Sequence, residues 1–168
     1  MIAALGLTAV VTESVGWLTD TEQQVWRRLL SVECRVKERL DRELRDGTGL
    51  TLGEYEVLVH LSEAPGLALR MSELASRLLL SRSGLTRRVD GLVQAALVAR
   101  QSCDDDKRGA LAVLTPYGMT ALSRAAPIHV RGVRRYLIDP IGASGGPDGL
   151  AGLTRGLERI EGALEMEA

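Results

Sequence analysis

The order of start and stop signals between Thr51 and Pro116 constrains this chain more than any other feature. Thr51-Leu52-Gly53-Glu54 is a capping box, with a hydroxyl at the cap and a carboxylate three residues on. It predicts a helix to about Ser62, with Tyr55, Leu58, Val59 and Leu61 inward. Pro65-Gly66 is a turn, and Leu67 to Arg70 is short and extended. Ser72 to Leu79 reads as a short helix with Leu74, Ala75 and Leu78 inward. Ser81 caps the next helix, Arg82 to Ala95. Its inner positions are Leu85, Val89, Leu92 and Ala96, and its outer positions are Arg82, Ser83, Thr86, Arg87 and Asp90. Val98 to Ser102 and Ala110 to Leu114 read as strands around the polar tip Asp104 to Gly109, a β-hairpin. Thr115-Pro116 opens another helix, with Thr as cap and Pro at the first helical position.

Long helices flank this block. One is expected from Thr21 to Arg45, capped by Thr19 or Asp20 and stopped at Gly47-Thr48-Gly49. Val25, Leu29, Val32, Val36, Leu40 and Leu44 form one stripe along it. Trp26, Leu30 and Cys34 widen the stripe, so more than one neighbour must cover it. The helix that starts at Pro116 runs towards Ile138 and ends at Asp139-Pro140. Pro127 lacks the amide that would bond Ser123, which predicts a bend between Ser123 and Pro127. Gly142 to Gly149 reads as a flexible link. The last helix, Leu150 to Met166, carries an a/d seam of Leu150, Leu153, Leu157, Ile160 and Leu164. Gly152, Gly156 and Gly162 weaken it in isolation, so it calls for a partner surface, which argues for a dimer.

Composition excludes several classes. Hydrophobic residues at 45% and charged residues at 26% suit a globular chain. No apolar run is long enough to span a bilayer, so no membrane partner is expected. Two cysteines and two histidines build neither a disulfide framework nor a zinc site. No nucleophile–base pair or phosphate loop is present, so neither an enzyme nor a cofactor is expected. Residues 1–16 are apolar without an early Lys or Arg, unlike a secretory signal, and a cytoplasmic location is expected. With no Phe, the core must come from Leu, Val, Ala and Ile.

Helix, short strand, helix, tight turn, helix and hairpin together define a winged helix-turn-helix. The expected fold class is mainly α with a small β-wing and a helical dimerisation layer. Its expected divisions are an arm at 1–18, dimerisation segments at 19–47 and 116–168, and the winged module at 50–115. Charge agrees with this reading. Between Gly66 and Thr115 eight cationic side chains stand against five acidic ones, a surplus of three in a chain of net charge -1. A basic module in a near-neutral chain is an electrostatic footprint for DNA.

Met71-Ser-Glu-Leu-Ala and Leu80-Ser-Arg-Ser-Gly-Leu-Thr-Arg-Arg-Val-Asp90 resemble the third and fourth helices of the MarR family of bacterial transcription regulators. Asp106-Lys-Arg-Gly-Ala-Leu-Ala-Val-Leu-Thr115 resembles that family's wing. The likeness extends through Trp17-Leu-Thr-Asp and Leu50-Thr-Leu-Gly-Glu-Tyr-Glu-Val-Leu and covers about residues 17–141. The last helix agrees in pattern only, and residues 1–16 and the glycine-rich link depart from the family. The resemblance implies a homodimer that represses genes from a near-palindromic operator in double-stranded DNA and is released by a small aromatic or phenolic effector. Alternatives are a winged helix that binds protein without DNA, or a repressor that senses oxidation through Cys34 or Cys103.

On this reading Ser81, Arg82, Ser83, Thr86 and Arg87 meet bases or phosphates. Arg108 enters the minor groove from the wing, held by Asp106. Arg88, beside the buried stripe, snorkels to phosphate or pairs with an acid, and is not taken as a base reader. The effector pocket implied by the resemblance draws on Trp26, Leu30, Tyr55, His60, Arg124 and His129. A histidine on the stripe of His129 is also a common packing residue, and Trp26 also suits a core or dimer interface.

Overall fold

The computed structural model describes residues 16–103, 106–144 and 149–166, with 103, 106–109 and 144 described by backbone alone. The chain divides into two units, 1–34 and 35–168, taken separately below. Helix α1, Asp20–Thr48, crosses the division.

In the first unit Thr19 is the cap of α1. Its hydroxyl accepts the Glu22 amide at 3.3 Å, and the Glu22 carboxylate accepts the Thr19 amide at 2.7 Å. The Thr19 amide and the Thr19 hydroxyl, both donating to the Glu22 carboxylate, hold that carboxyl below its ordinary pKa. Val25, Trp26, Leu29, Leu30, Val32 and Cys34 are all exposed. The expected stripe is therefore uncovered along this part of the helix.

In the second unit the stripe goes inward. Val36 packs against the core, and Leu40 and Leu44 are buried. The helix runs three residues past the expected last residue, Arg45, to Thr48 and stops, as expected, at Gly49, which takes φ +79° and donates its amide to the Arg45 carbonyl at 2.9 Å. The Thr51–Glu54 capping box forms as predicted and opens α2, Leu52–Ser62. Asp41 ties this corner by accepting the Leu52 amide at 2.8 Å. Val57, outside the expected inward set, is fully buried because α2 is packed on by the later helices of the unit and by the sheet.

A turn at Pro65–Leu67 leads to β1, Ala68–Arg70, then to α3, Met71–Arg77, and α4, Arg82–Gln94. Strands β2, Val98–Cys103, and β3, Asp106–Leu114, complete an antiparallel sheet of order β1-β3-β2. Val98 pairs with Leu114 and Ala68 with Val113, which draws the strand ahead of α3 into the wing. The core is aliphatic: Leu44, Val57, Leu58, Leu61, Leu74, Leu85, Val89, Leu92 and Val98 are its largest fully buried side chains.

Helices α3 and α4 close in the same way. The Leu80 amide bonds the Ala75 carbonyl and the Leu79 amide bonds Ser76, while Leu97 bonds Leu92 and Ala96 bonds Val93. Both are Schellman closures, and both put a non-glycine residue in the left-handed region, Leu79 at φ +52° and Ala96 at φ +58°. Two sequence expectations change as a result. The first short helix ends at Arg77, not Leu79. Ala96 is not an inner position of α4; it has left the helix and is exposed, while Leu97 is buried.

Helix α5, Pro116–Val133, is capped by Thr115, whose hydroxyl accepts the Gly118 amide at 2.9 Å. It runs as an α-helix through Pro127. A π-helical turn follows at Arg134–Ile138, closed by the Asp139 amide on the Arg134 carbonyl. Asp139-Pro140 does not end the helix: Pro140 is the second residue of α6, Asp139–Ser144, which follows the π turn directly. The predicted link is thus helical to Ser144, and 145–148 lie outside the described residues. Helix α7, Gly149–Met166, presents its entire a/d seam to solvent.

Candidate nucleic-acid interface

The second unit offers one polar face free of its own core. Ser81 caps α4 by accepting the Gly84 amide at 3.1 Å, and its hydroxyl lies 3.3 Å from that of Ser83. Leu85, Val89 and Leu92 are buried on one side of α4, while Arg82, Ser83, Thr86 and Arg87 are exposed on the other. No acid occupies the first turn, so the partial positive charge of the helix N-terminus is unopposed there. Backbone amides and hydroxyls at such an end suit phosphate oxygens.

The arginines of the module separate by partner. Arg77 pairs with Glu73 at 2.7 Å. Arg100 on β2 pairs with Asp90 at 2.8 Å and donates to the Thr86 carbonyl at 3.4 Å. Arg88 donates to the Gly53 carbonyl of α2 at 3.4 Å. A Cβ at position 53 would meet the Arg88 guanidinium, which would then have to shift, so glycine here leaves room for the approach. Arg70 also has a partner. Arg82 and Arg87 make no hydrogen bond or ion pair to any described residue and stay available at the surface.

Asp106 and Arg108 lie on β3, and their side chains are outside those described, as is that of Cys103. The effector candidates of the second unit do not form one cluster. Trp26 and Leu30 belong to the first unit and are exposed. Tyr55 and His129 meet, with ring centroids 4.5 Å apart and planes at 30°. Burial lowers the His129 pKa against the opposing pull of Glu56, and burial, then Glu63, raises that of Tyr55. His60 is half-buried on α2. Arg124 instead lines a cavity of about 500 Å³ with Asp46, Leu50, Leu97, Tyr117 and Ala121. His129 is five residues further along α5, more than a quarter turn away around the helix.

Sequence reasoning counted Arg100 in the basic surplus but missed its clasp on Asp90. A pairing across ten residues and two elements leaves no periodic trace. It also missed that Glu43 of α1 accepts from Tyr136 at 2.5 Å and Arg135 at 3.1 Å. Among the described residues no helix is long and apolar enough to cross a membrane.

A capped helix in a tight helix-turn-helix, beside a strand pair that shares its sheet with β1, defines a winged-helix DNA-binding fold. Residues 48–109 match the model of the MarR family. AbsC, a MarR family transcriptional regulator from Streptomyces coelicolor, is 40% identical, with 89% of this chain and 98% of that one covered at a TM-score of 0.81. Sco3205, a MarR family regulator from the same organism solved in complex with DNA, is 36% identical, with 89% and 91% covered at a TM-score of 0.81. The HTH-type transcriptional repressor YetL from Bacillus subtilis (strain 168) is 32% identical over 83 residues, 49% of this chain; the match spans 50% of YetL's length. The chain belongs to the MarR family of transcriptional regulators, and it is a regulator, not an enzyme.

Proposed function

We propose that this protein is a cytoplasmic homodimeric repressor that lays α4 in the major groove of a near-palindromic operator. The observation that carries the reading is the pair Arg82 and Arg87. Both lie on an exposed face with Ser81, Ser83 and Thr86, where the first turn holds no acid and Asp90 is paired with Arg100, while neighbouring arginines are spent on protein acceptors. Repression is the recorded role of YetL, and Sco3205 was solved on DNA. The wing residues Arg108 and Asp106 are assigned to the flanking minor groove on sequence grounds.

The dimer layer is assigned to residues 19–47 and 116–168, the winged module to 50–115 and an arm to 1–18. Two exposed apolar stripes support that division, one on α1 from Val25 to Val32 and one along α7. Recognition helices in such a dimer engage half-sites about 34–36 Å apart. A small aromatic or phenolic anion is the proposed releasing effector. The Tyr55–His129 stack supplies an aromatic platform, Arg124 supplies a cation at its own cavity, and His60 is a candidate on the sequence reading. Trp26 and Leu30 stand as candidates on the sequence reading.

Fluorescence anisotropy on DNA from the region upstream of the gene tests this. A bound duplex that random DNA of equal length fails to displace, with affinity falling steeply with salt, is the expected result. Equal competition by random DNA would remove the operator reading.

A further inference from the structure

Leu79 combines two features that folding alone disfavours. Its backbone lies at φ +52°, a region that costs an L-residue with a side chain and that glycine enters freely. Its side chain is 93% exposed, the most exposed large hydrophobic among the described residues. Half of the other exposed large apolar side chains of the second unit fall on the α7 seam. Leu79 is on no such seam. Its exposed neighbours are Ser76, Arg77, Ser81 and Arg82, a polar and cationic setting. Ala96 occupies the matching position of the second Schellman closure and carries only a methyl group. The geometry of the turn therefore does not call for leucine.

The position does suit it to DNA. Leu79 stands two residues ahead of Ser81, the cap of α4, and three ahead of Arg82, which begins the free cationic face. We propose that Leu79 is a specificity-determining residue whose isobutyl group packs on the 5-methyl group of a thymine at the edge of each half-site. In the major groove only thymine shows a methyl group, and apolar contact is how it is read. The inference rests on the assignment of α4 to the major groove.

The test uses the full chain and its upstream operator, with Leu79→Ala, Leu79→Gly and, as a control, Ala96→Gly. Each is measured on duplexes in which single thymines are replaced by deoxyuridine, which deletes only the methyl group. Leu79→Ala is expected to weaken binding about three- to tenfold per half-site, in line with the loss of a small apolar contact. Deoxyuridine at one thymine per half-site is expected to weaken the wild type by a similar factor and the Leu79 variants no further. Ala96→Gly is expected to leave affinity unchanged. A Leu79→Ala loss of equal size on thymine and deoxyuridine at every position overturns the methyl contact, as does no loss at all. Failure of the wild type to prefer any operator removes the α4 assignment and this inference with it. Operator-preferring wild type with an indifferent Leu79 removes the inference alone.

Discussion

The guanidinium of Arg100 on β2 closes on the carboxylate of Asp90 on α4, Nη1 to Oδ1 at 2.8 Å. The same guanidinium reaches the Thr86 carbonyl one turn earlier. One side chain thus fixes the strand of the wing against α4. Both partners are partly exposed, so solvent screens the pair. Asp90→Asn should cost less than about 1 kcal/mol in a denaturant titration. It should also speed amide exchange along β2 and strengthen binding to random DNA. Unchanged exchange in β2 would show that the clasp has no hold on the wing.

Arg87 and Arg88 are adjacent but differently committed, and alanine should separate them. Arg87→Ala should weaken operator binding by about 1–3 kcal/mol and leave the melting temperature unchanged. Arg88→Ala should lower stability by roughly 1 kcal/mol through loss of its bond to Gly53. Reversed outcomes in paired melting and anisotropy measurements would exchange the two roles.

Ala96 is strained without an evident return. Glycine there should relieve roughly 1–2 kcal/mol of left-handed backbone cost, less about 0.4–1 kcal/mol for the freer unfolded chain. Ala96→Gly should raise the melting temperature by about 2–4 °C if the net gain is near 1 kcal/mol. A fall in melting temperature would contradict the strain argument.

His129 has a folded pKa below its ordinary value, with burial as the main cause. Below about pH 6.5 the unfolded state takes up this proton more readily than the folded one. Stability should therefore decline as pH falls from that point through the lowered folded pKa. Below that pKa the His129 contribution levels off. His129→Gln should flatten this part of a stability profile measured between pH 7 and pH 5. An unchanged slope would assign the acid sensitivity to other groups.

The exposed seam of α7 gives a test of assembly. Leu153→Glu combined with Leu157→Glu should shift sedimentation from dimer to monomer and weaken operator binding. Deletion of 150–168 should reduce solubility as well. A dimer that survives the double substitution would move the interface away from α7.

Local chemistry made much of this fold legible. Thr51 with Glu54, Ser81, and Thr115 with Pro116 each announced a helix start within a few residues of chain, and each formed. Helix ends were harder to place. The closures at Leu79 and Ala96 use the backbone geometry that glycine usually marks, and neither residue is glycine. The π turn after Val133 depends on a choice of hydrogen-bond partner that residue identity does not signal. At the candidate site, the outward face of α4 followed from its inward leucines and valine. Which arginines remained free did not, because Gly53 and Asp90 capture Arg88 and Arg100 only once distant segments are folded together.

The π turn at Arg134–Ile138 also acts as a phase setting. A helical turn closed five residues back carries one residue more than an α-turn, and that residue advances everything downstream by about 100°. Glu43, holding Tyr136 and Arg135, pins this offset to α1. A one-residue deletion within 134–138 would thus be no mere shortening. It would rotate α6 relative to α5 and re-aim whatever α6 carries, so chain length at this point, more than residue type, tunes the bearing of the C-terminal helices.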